Sequence, residues 1–225
     1  MKANRLYWLG RYEERVYMTL HMFRKCYDSM IDGNPEEYRK FWQHLDMSNS
    51  YSSPNEFTLG MMYDDDNPSS IITSLNRAMD NAIMLRDDIK SETMSYIEMS
   101  IALIKKLSTE ANHNVTDMQP LTDWALAFWG SISQRIEEPR IKAILAVGQI
   151  VEKMDFHIRF EYPITRIAEK FYVLKHWAEE VPELVDSTIT DEIDEMITAA
   201  TTADDPVDAN YRSKLCALIN QLIII

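Results

Sequence analysis

Apolar residues recur along most of this chain at alternating steps of three and four, the rhythm of helices that bury one face. Between Asn4 and Ile31 one stripe is Leu9, Val16, Leu20 and Phe23, and a second is Trp8, Arg11, Arg15, Met18 and Met22. Together they predict one long helix. It should stop in "DGNPEE" at 32–37, where the glycine ends it and the proline opens the next helix, a short one carrying Tyr38, Phe41 and Trp42. Residues 46–68, rich in Ser, Asn, Asp and Tyr, read as irregular, with one turn around "NEFTLGMMY". "NPSS" then caps a single long helical segment from about Ser69 to Glu110, with the stripe Leu75, Met79, Ala82, Arg86, Ile89, Thr93 and Tyr96. Further helices are predicted at 119–136, 138–160, 163–181, 189–201 and 208–223. "WALAFWG" at 124–130 is apolar on all sides and reads as the central helix; "LCALINQLIII" at the end reads as a helix packed on the core. No stretch alternates as a strand does. The expected fold is all-α, an antiparallel multi-helix bundle forming a single domain over 1–225, with a core at 1–181 and an acidic segment plus terminal helices at 182–225.

The chain also resembles itself. "LGRYEERVYMTLHMF" at 9–23 aligns with "VGQIVEKMDFHIRFE" at 147–161, an offset of 138. Gly10 meets Gly148, Glu14 meets Glu152 and Arg15 meets Lys153, while Leu6, Leu9, Met18, Leu20 and Met22 meet Ile144, Val147, Phe156, Ile158 and Phe160. The shared pattern predicts two related helices, one Glu-Arg and one Glu-Lys, about a pseudo-two-fold axis. Glycine at each copy would let another backbone or a ligand approach closely.

Charged residues interrupt these stripes, and an unpaired charge inside a core would cost several kcal/mol. Arg11, Glu14, Arg15, Arg86, Glu92, Glu152 and Lys153 should therefore pair with one another or with a bound group. The expectation is one shared polar pocket, closed on the first helix by Arg86, Glu92 and Glu152.

Composition removes several classes of function. A net charge of −13 disfavours nucleic acid. Eleven of the acidic residues fall in 178–210, which holds no Lys or Arg and reads as a solvated face with linker. Cys26 and Cys216 stand apart, without metal-binding spacing, and read as two buried reduced thiols. A di-iron carboxylate bundle needs a pair of inward Glu-x-x-His motifs, which the chain lacks; His44, His113 and His176 are scattered, so no metal is expected. Asp64, Asp65 and Asp66, with Tyr51 and Tyr63, read as a solvated loop. There is no nucleophile elbow and no glycine-rich phosphate loop, so no cofactor is expected and any ATP chemistry would belong to a partner. Lys2 and Arg5 precede too short an apolar run for a secretory signal, and no segment is long enough for a bilayer, so a soluble cytoplasmic protein is expected.

The same charged helices carry a family resemblance. "NRLYWLGRYEERVYM" resembles the start of the alpha-E domain family, helical bacterial proteins named for a Glu-Arg motif, which falls here on Glu14 and Arg15. "NPSSIITSLNRAMDNAIMLRDDIKSE" is similar to the family's second signature, matched by Asn81, Ala82, Arg86, Ser91 and Glu92. The region around "VGQIVEKMDF" resembles a second copy of the Glu-Arg helix, so that the likeness reaches across roughly the first 160 residues. The second copy departs from the pattern with Lys153 for arginine and Gln149 opposite Arg11, and lysine would weaken a bidentate carboxylate contact. The later helices read as trimmed relative to the family. The resemblance implies a place beside ATP-grasp-type peptide ligases and transglutaminase-like proteins, hence in forming or modifying a peptide.

Two readings stand at this point. In one, Glu14, Arg15 and Glu152 act on a substrate bound by Arg11, Arg86, Glu92, Lys153, Asn81 and Trp8, the arginines clamping a carboxylate, phosphate or peptide group. The partner would be an ATP-grasp-type ligase, a peptide or both, and a homo-oligomer is compatible with either. In the other, the chain is a non-enzymatic scaffold and its Glu/Arg cluster is an ion-pair network that fixes helix register.

Overall fold

The computed structural model describes residues 1–45, 51–109, 115–202 and 207–225. Glu110, His113, Asp204, Asp205 and the stretch 46–50 lie outside the described residues. The helices are α1 (Lys2–Ile31), α2 (Glu37–His44), α3 (Pro54–Tyr63), α4 (Ile71–Met84), α5 (Arg86–Ile89), α6 (Ser91–Leu107), α7 (Gln119–Arg135), α8 (Pro139–Arg159), α9 (Ile164–Ala178), α10 (Ser187–Thr202) and α11 (Ala209–Gln221). Among the described residues the only β-type pairing is one antiparallel bridge, Val185 to Ile223. The fold is all-α, as the helical periodicity requires.

Two helical expectations need correction. The stretch expected to hold one turn forms the ten-residue α3, because the Ser53 side chain accepts a bond from the Glu56 amide and Pro54 occupies the first helical turn. The segment expected as one helix from Ser69 to Glu110 breaks into α4, α5 and α6. Leu85 leaves helical geometry, and Lys90 takes φ 71°, ψ 148°, a conformation that ends any α-helix.

The described residues pack as two compact units that share α1: Met1–Arg11 with Glu138–Ile225, and Tyr12–Glu137. In the first unit α8 is buried on nearly every side, with α9 and α11 packed along it. α8 thus takes the central position expected of "WALAFWG". Leu215, Ile219 and Leu222 bring the C-terminal helix onto this core, as expected. The end of the chain is tied down where the Asp186 amide donates to the Leu222 carbonyl (2.9 Å) and the Ile224 amide to that of Leu184 (2.8 Å). Arg212 donates to the carbonyls of Ile158, in the last turn of α8, and Tyr162, just beyond it.

The second unit is built around Phe57, whose ring lies 5.3–5.7 Å from those of Phe23, Tyr38, Phe41 and Tyr51. Tyr51, expected in a solvated loop, is buried, and its hydroxyl accepts from the buried Asn67 side chain (3.0 Å). α6 packs on α4 and α7, with a buried hydroxyl pair, Thr93 to Ser131, at 2.7 Å. α7 is one-sided: Leu121, Ala125, Phe128 and Ile132 face the core, whereas Leu126 is exposed.

Candidate functional site

In the first unit the glycines of the internal repeat meet. A Cβ on Gly10 would lie 2.3 Å from the Leu145 carbonyl oxygen, and one on Gly148 would lie 2.2 Å from that of Tyr7. Leu145 is the counterpart of Tyr7 under the offset of 138, so the contact is reciprocal. Backbone, rather than ligand, fills the space that each glycine opens.

This crossing brings Arg11 onto Glu152. Arg11 is 5% exposed and Glu152 0%, and the Arg11 Nε donates to Glu152 Oε2 at 2.6 Å. The other Arg11 nitrogens donate to the Tyr7 hydroxyl (3.4 Å) and to Asn220 Oδ1 (3.0 Å), and the guanidinium stacks on Trp8 at 5.2 Å. Burial works against the Arg11 charge, but the Glu152 carboxylate outweighs it and raises the pKa above the ordinary arginine value. Burial likewise pushes the Tyr7 phenol up, with Arg11 pulling it the other way.

The network continues through α11. Asn220 Nδ2 donates to Asp155 Oδ1 (2.7 Å), the Cys216 thiol donates to the same oxygen (3.1 Å), and Arg159 Nε donates to Asp155 Oδ2 (2.7 Å). Burial alone would raise the Asp155 carboxyl; Arg159, Asn220 and Cys216 outweigh it, leaving the carboxyl below its ordinary range. Cys216 is half-buried rather than buried as expected, and neither it nor Cys26 forms a disulfide. Burial, with Glu37 adding to it, pushes the Cys26 thiol up to about 12, which favours the thiol over the thiolate.

The remaining sequence candidates fall in the second unit, Lys153 and Trp8 excepted. Glu14 is buried and Arg15 half-buried, with the Arg15 guanidinium over the Tyr12 ring at 5.5 Å. Arg77 of α4 stacks on the same ring at 5.8 Å, and its carbonyl accepts from Asn81 Nδ2 (2.9 Å). Lys153 and Trp8, in the first unit, are half-buried.

Arg86 and Glu92 correct the expected pocket. Both are exposed: Arg86 Nε donates to Ser91 Oγ (3.1 Å), and Glu92 sits 3.8 Å from Arg135 in a surface pair. The stripe that seemed to bury Arg86 assumed an unbroken helix. The break at Leu85 resets the phase, and Arg86 turns to solvent, so neither residue closes a buried pocket.

A family profile described as a predicted α-helical domain with a conserved ER motif matches residues 2–189. The chain belongs to the Alpha-E family. No curated protein and no solved structure matches it. Glu14–Arg15 is the one Glu-Arg dipeptide in this Alpha-E chain. No helix among the described residues is long and apolar enough to cross a membrane. Among those residues no group of three or more His, Cys, Asp or Glu could hold a metal ion.

Four features of the chain escaped the sequence reading. Asp155 lies three residues after Glu152 and four before Arg159, a helical spacing that marks one polar face. Asn220 and Cys216 carried no signal, because their partner is 61–65 residues away. Arg77 stands one turn before Asn81 on α4. Glu13, 2% exposed and with an Oε1 that has no hydrogen-bond partner among the described residues, sits inside the Leu9–Val16–Leu20 stripe where an apolar residue belongs. Burial, with the Glu14 charge adding to it, pushes the Glu13 carboxyl up to about 8.

Proposed function

We propose that this Alpha-E chain is a cytoplasmic component of an ATP-grasp-associated bacterial system that forms or modifies a peptide. Its Glu-Arg helix binds a carboxylate, phosphate or peptide group, with Glu14 and Arg15 acting on it. The supporting observation is the setting of Arg15, half-buried with its guanidinium laid on Tyr12. Arg11, one turn before, is closed in by Glu152, Asn220 and Tyr7. A partly accessible, aromatic-backed guanidinium suits recognition of a planar oxyanion.

The engagement of Arg11 by three side chains favours a second reading for that half of the cluster. A cation held by three of the protein's own side chains acts as part of an ion-pair network that fixes helix register, and a chain built only on such networks would be a scaffold for the ligase or its peptide. Incubation with an ATP-grasp-type ligase, ATP and candidate peptides separates the two. Product that requires both proteins and is lost in a folded Glu14→Gln variant supports catalysis. A complex with the ligase that Glu14→Gln leaves intact, without such product, supports the scaffold.

A further inference from the structure

We infer that Arg11 and Asp155 form a binding site for a carboxamide group, which the chain fills with its own Asn220 side chain. The inference goes beyond the reading above, because it concerns neither Glu14 nor Arg15 and stands or falls apart from them. All three residues belong to the first unit. Arg11 Nη2 donates to Asn220 Oδ1 at 3.0 Å, and Asn220 Nδ2 donates to Asp155 Oδ1 at 2.7 Å. One fixed donor and one fixed acceptor thus read the oxygen and the nitrogen of a single amide. A carboxylate has no N–H to offer Asp155 and would be repelled by it, and an ammonium would be repelled by Arg11. An amide meets both demands.

Burial separates the site from its occupant. Arg11 is 5% and Asp155 7% exposed, whereas Asn220 lies at the surface. Each charge is also held without Asn220: Arg11 by the buried Glu152 and Tyr7, Asp155 by Arg159 and Cys216. With the Asn220 amide withdrawn, both keep these partners and offer one charge-assisted donor and one acceptor. The withdrawn amide keeps a bond of its own, since Nδ2 also donates to the Cys216 carbonyl one turn back on α11 (2.9 Å). The α11 backbone stays anchored by Leu215, Ile219 and Leu222, so a change of rotamer in its last turn opens the site. Arg11 and Asp155 lie within the residues matched by the Alpha-E profile and Asn220 outside them, so the site and its occupant come from different parts of the chain. A peptide carrying an accessible carboxamide, in its backbone or on an Asn or Gln side chain, would take the place of Asn220.

Two measurements on the full chain test this, with acetamide as a primary amide, N-methylacetamide as a peptide bond and acetate as the control. In the native chain, the side-chain amide signal of Asn220 is followed by heteronuclear NMR, assigned through its own backbone. It should shift saturably with an amide probe and not with acetate. In Asn220→Ala, which opens the site, the same amide should raise the melting temperature and acetate should not. Its apparent Kd there should be at least roughly tenfold lower than in the native chain, because the built-in competitor is gone. Asn76→Ala, which removes a surface amide bonded to Asp65 in the other unit, should gain nothing from either amide. A response to acetamide alone assigns an Asn or Gln side chain as the ligand, and a response to N-methylacetamide assigns a backbone amide. An Asn220 signal that neither amide moves overturns the proposal even where Asn220→Ala is stabilised, since Asn220 is then a fixed part of the fold. Equal stabilisation by acetate, or of Asn76→Ala, overturns it as a solvent effect. If Asn220→Ala fails to fold, the native titration decides alone.

Discussion

Gly10 and Gly148 each face the other helix's backbone, Gly10 the Leu145 carbonyl and Gly148 the Tyr7 carbonyl, with Leu145 and Tyr7 equivalent under the repeat. A methyl group at either glycine would overlap a carbonyl oxygen that cannot rotate away. Gly10→Ala and Gly148→Ala should therefore each cost about 1–3 kcal/mol or more, as for overpacking a core. Gly130, exposed on α7 with nothing within 4 Å of an added Cβ, is the control. Gly130→Ala should stabilise by roughly 0.5–1 kcal/mol through helix propensity. Urea unfolding of the three variants decides it; similar effects at all three would mean that the helices do not cross so closely.

The Arg11–Glu152 pair is fully inside the protein, and Arg86 is not. Arg11→Leu leaves Glu152 as a buried charge and should cost about 3–5 kcal/mol, whereas Arg86→Leu should change stability by roughly 0.5 kcal/mol or less. A thermal melt of each variant reads this directly. A mild Arg11→Leu would show that Glu152 takes up a proton or another partner at little cost.

Glu13 should give the stability–pH curve a downward slope. Its folded pKa of about 8 lies above its ordinary 4.5, so the folded state binds the extra proton. The stability linked to that proton is fully present below about pH 4.5 and is lost as pH rises to about 8. Glu13→Gln removes the titration. Its stability relative to the native chain should rise by a few kcal/mol between those limits, an order-of-magnitude figure at about 1.4 kcal/mol per pKa unit. Parallel curves for the two proteins across pH 5–8 would refute it.

Lys90 holds φ 71°, ψ 148°, a region that is nearly glycine's alone. Its side chain gives little in return, a 3.4 Å contact from Nζ to the Asp87 carbonyl. Lys90→Gly should raise stability by about 1 kcal/mol, and Lys90→Val, β-branched, should lower it by at least as much. Calorimetric melts compare the two; a destabilised Lys90→Gly would show that the strain is absent.

The sequence by itself determined the class of fold, most helix boundaries and the pairing of two repeats. Period and glycine placement are local properties, legible without coordinates: α8 was expected at 138–160 and runs Pro139–Arg159. It also determined that charge inside the Leu9 and Met18 stripes must find partners. Which partners was settled only by the tertiary structure. Arg11 meets Glu152 across 141 residues, and Asp155 meets Asn220 across 65, separations that carry no periodic signal. The break at Leu85 and Lys90 was equally hidden, because neither is a helix breaker by type, yet it turned Arg86 from an expected core charge into a surface one. Periodicity predicts a face only while the helix runs unbroken, and past a break only packing decides which side chains are buried.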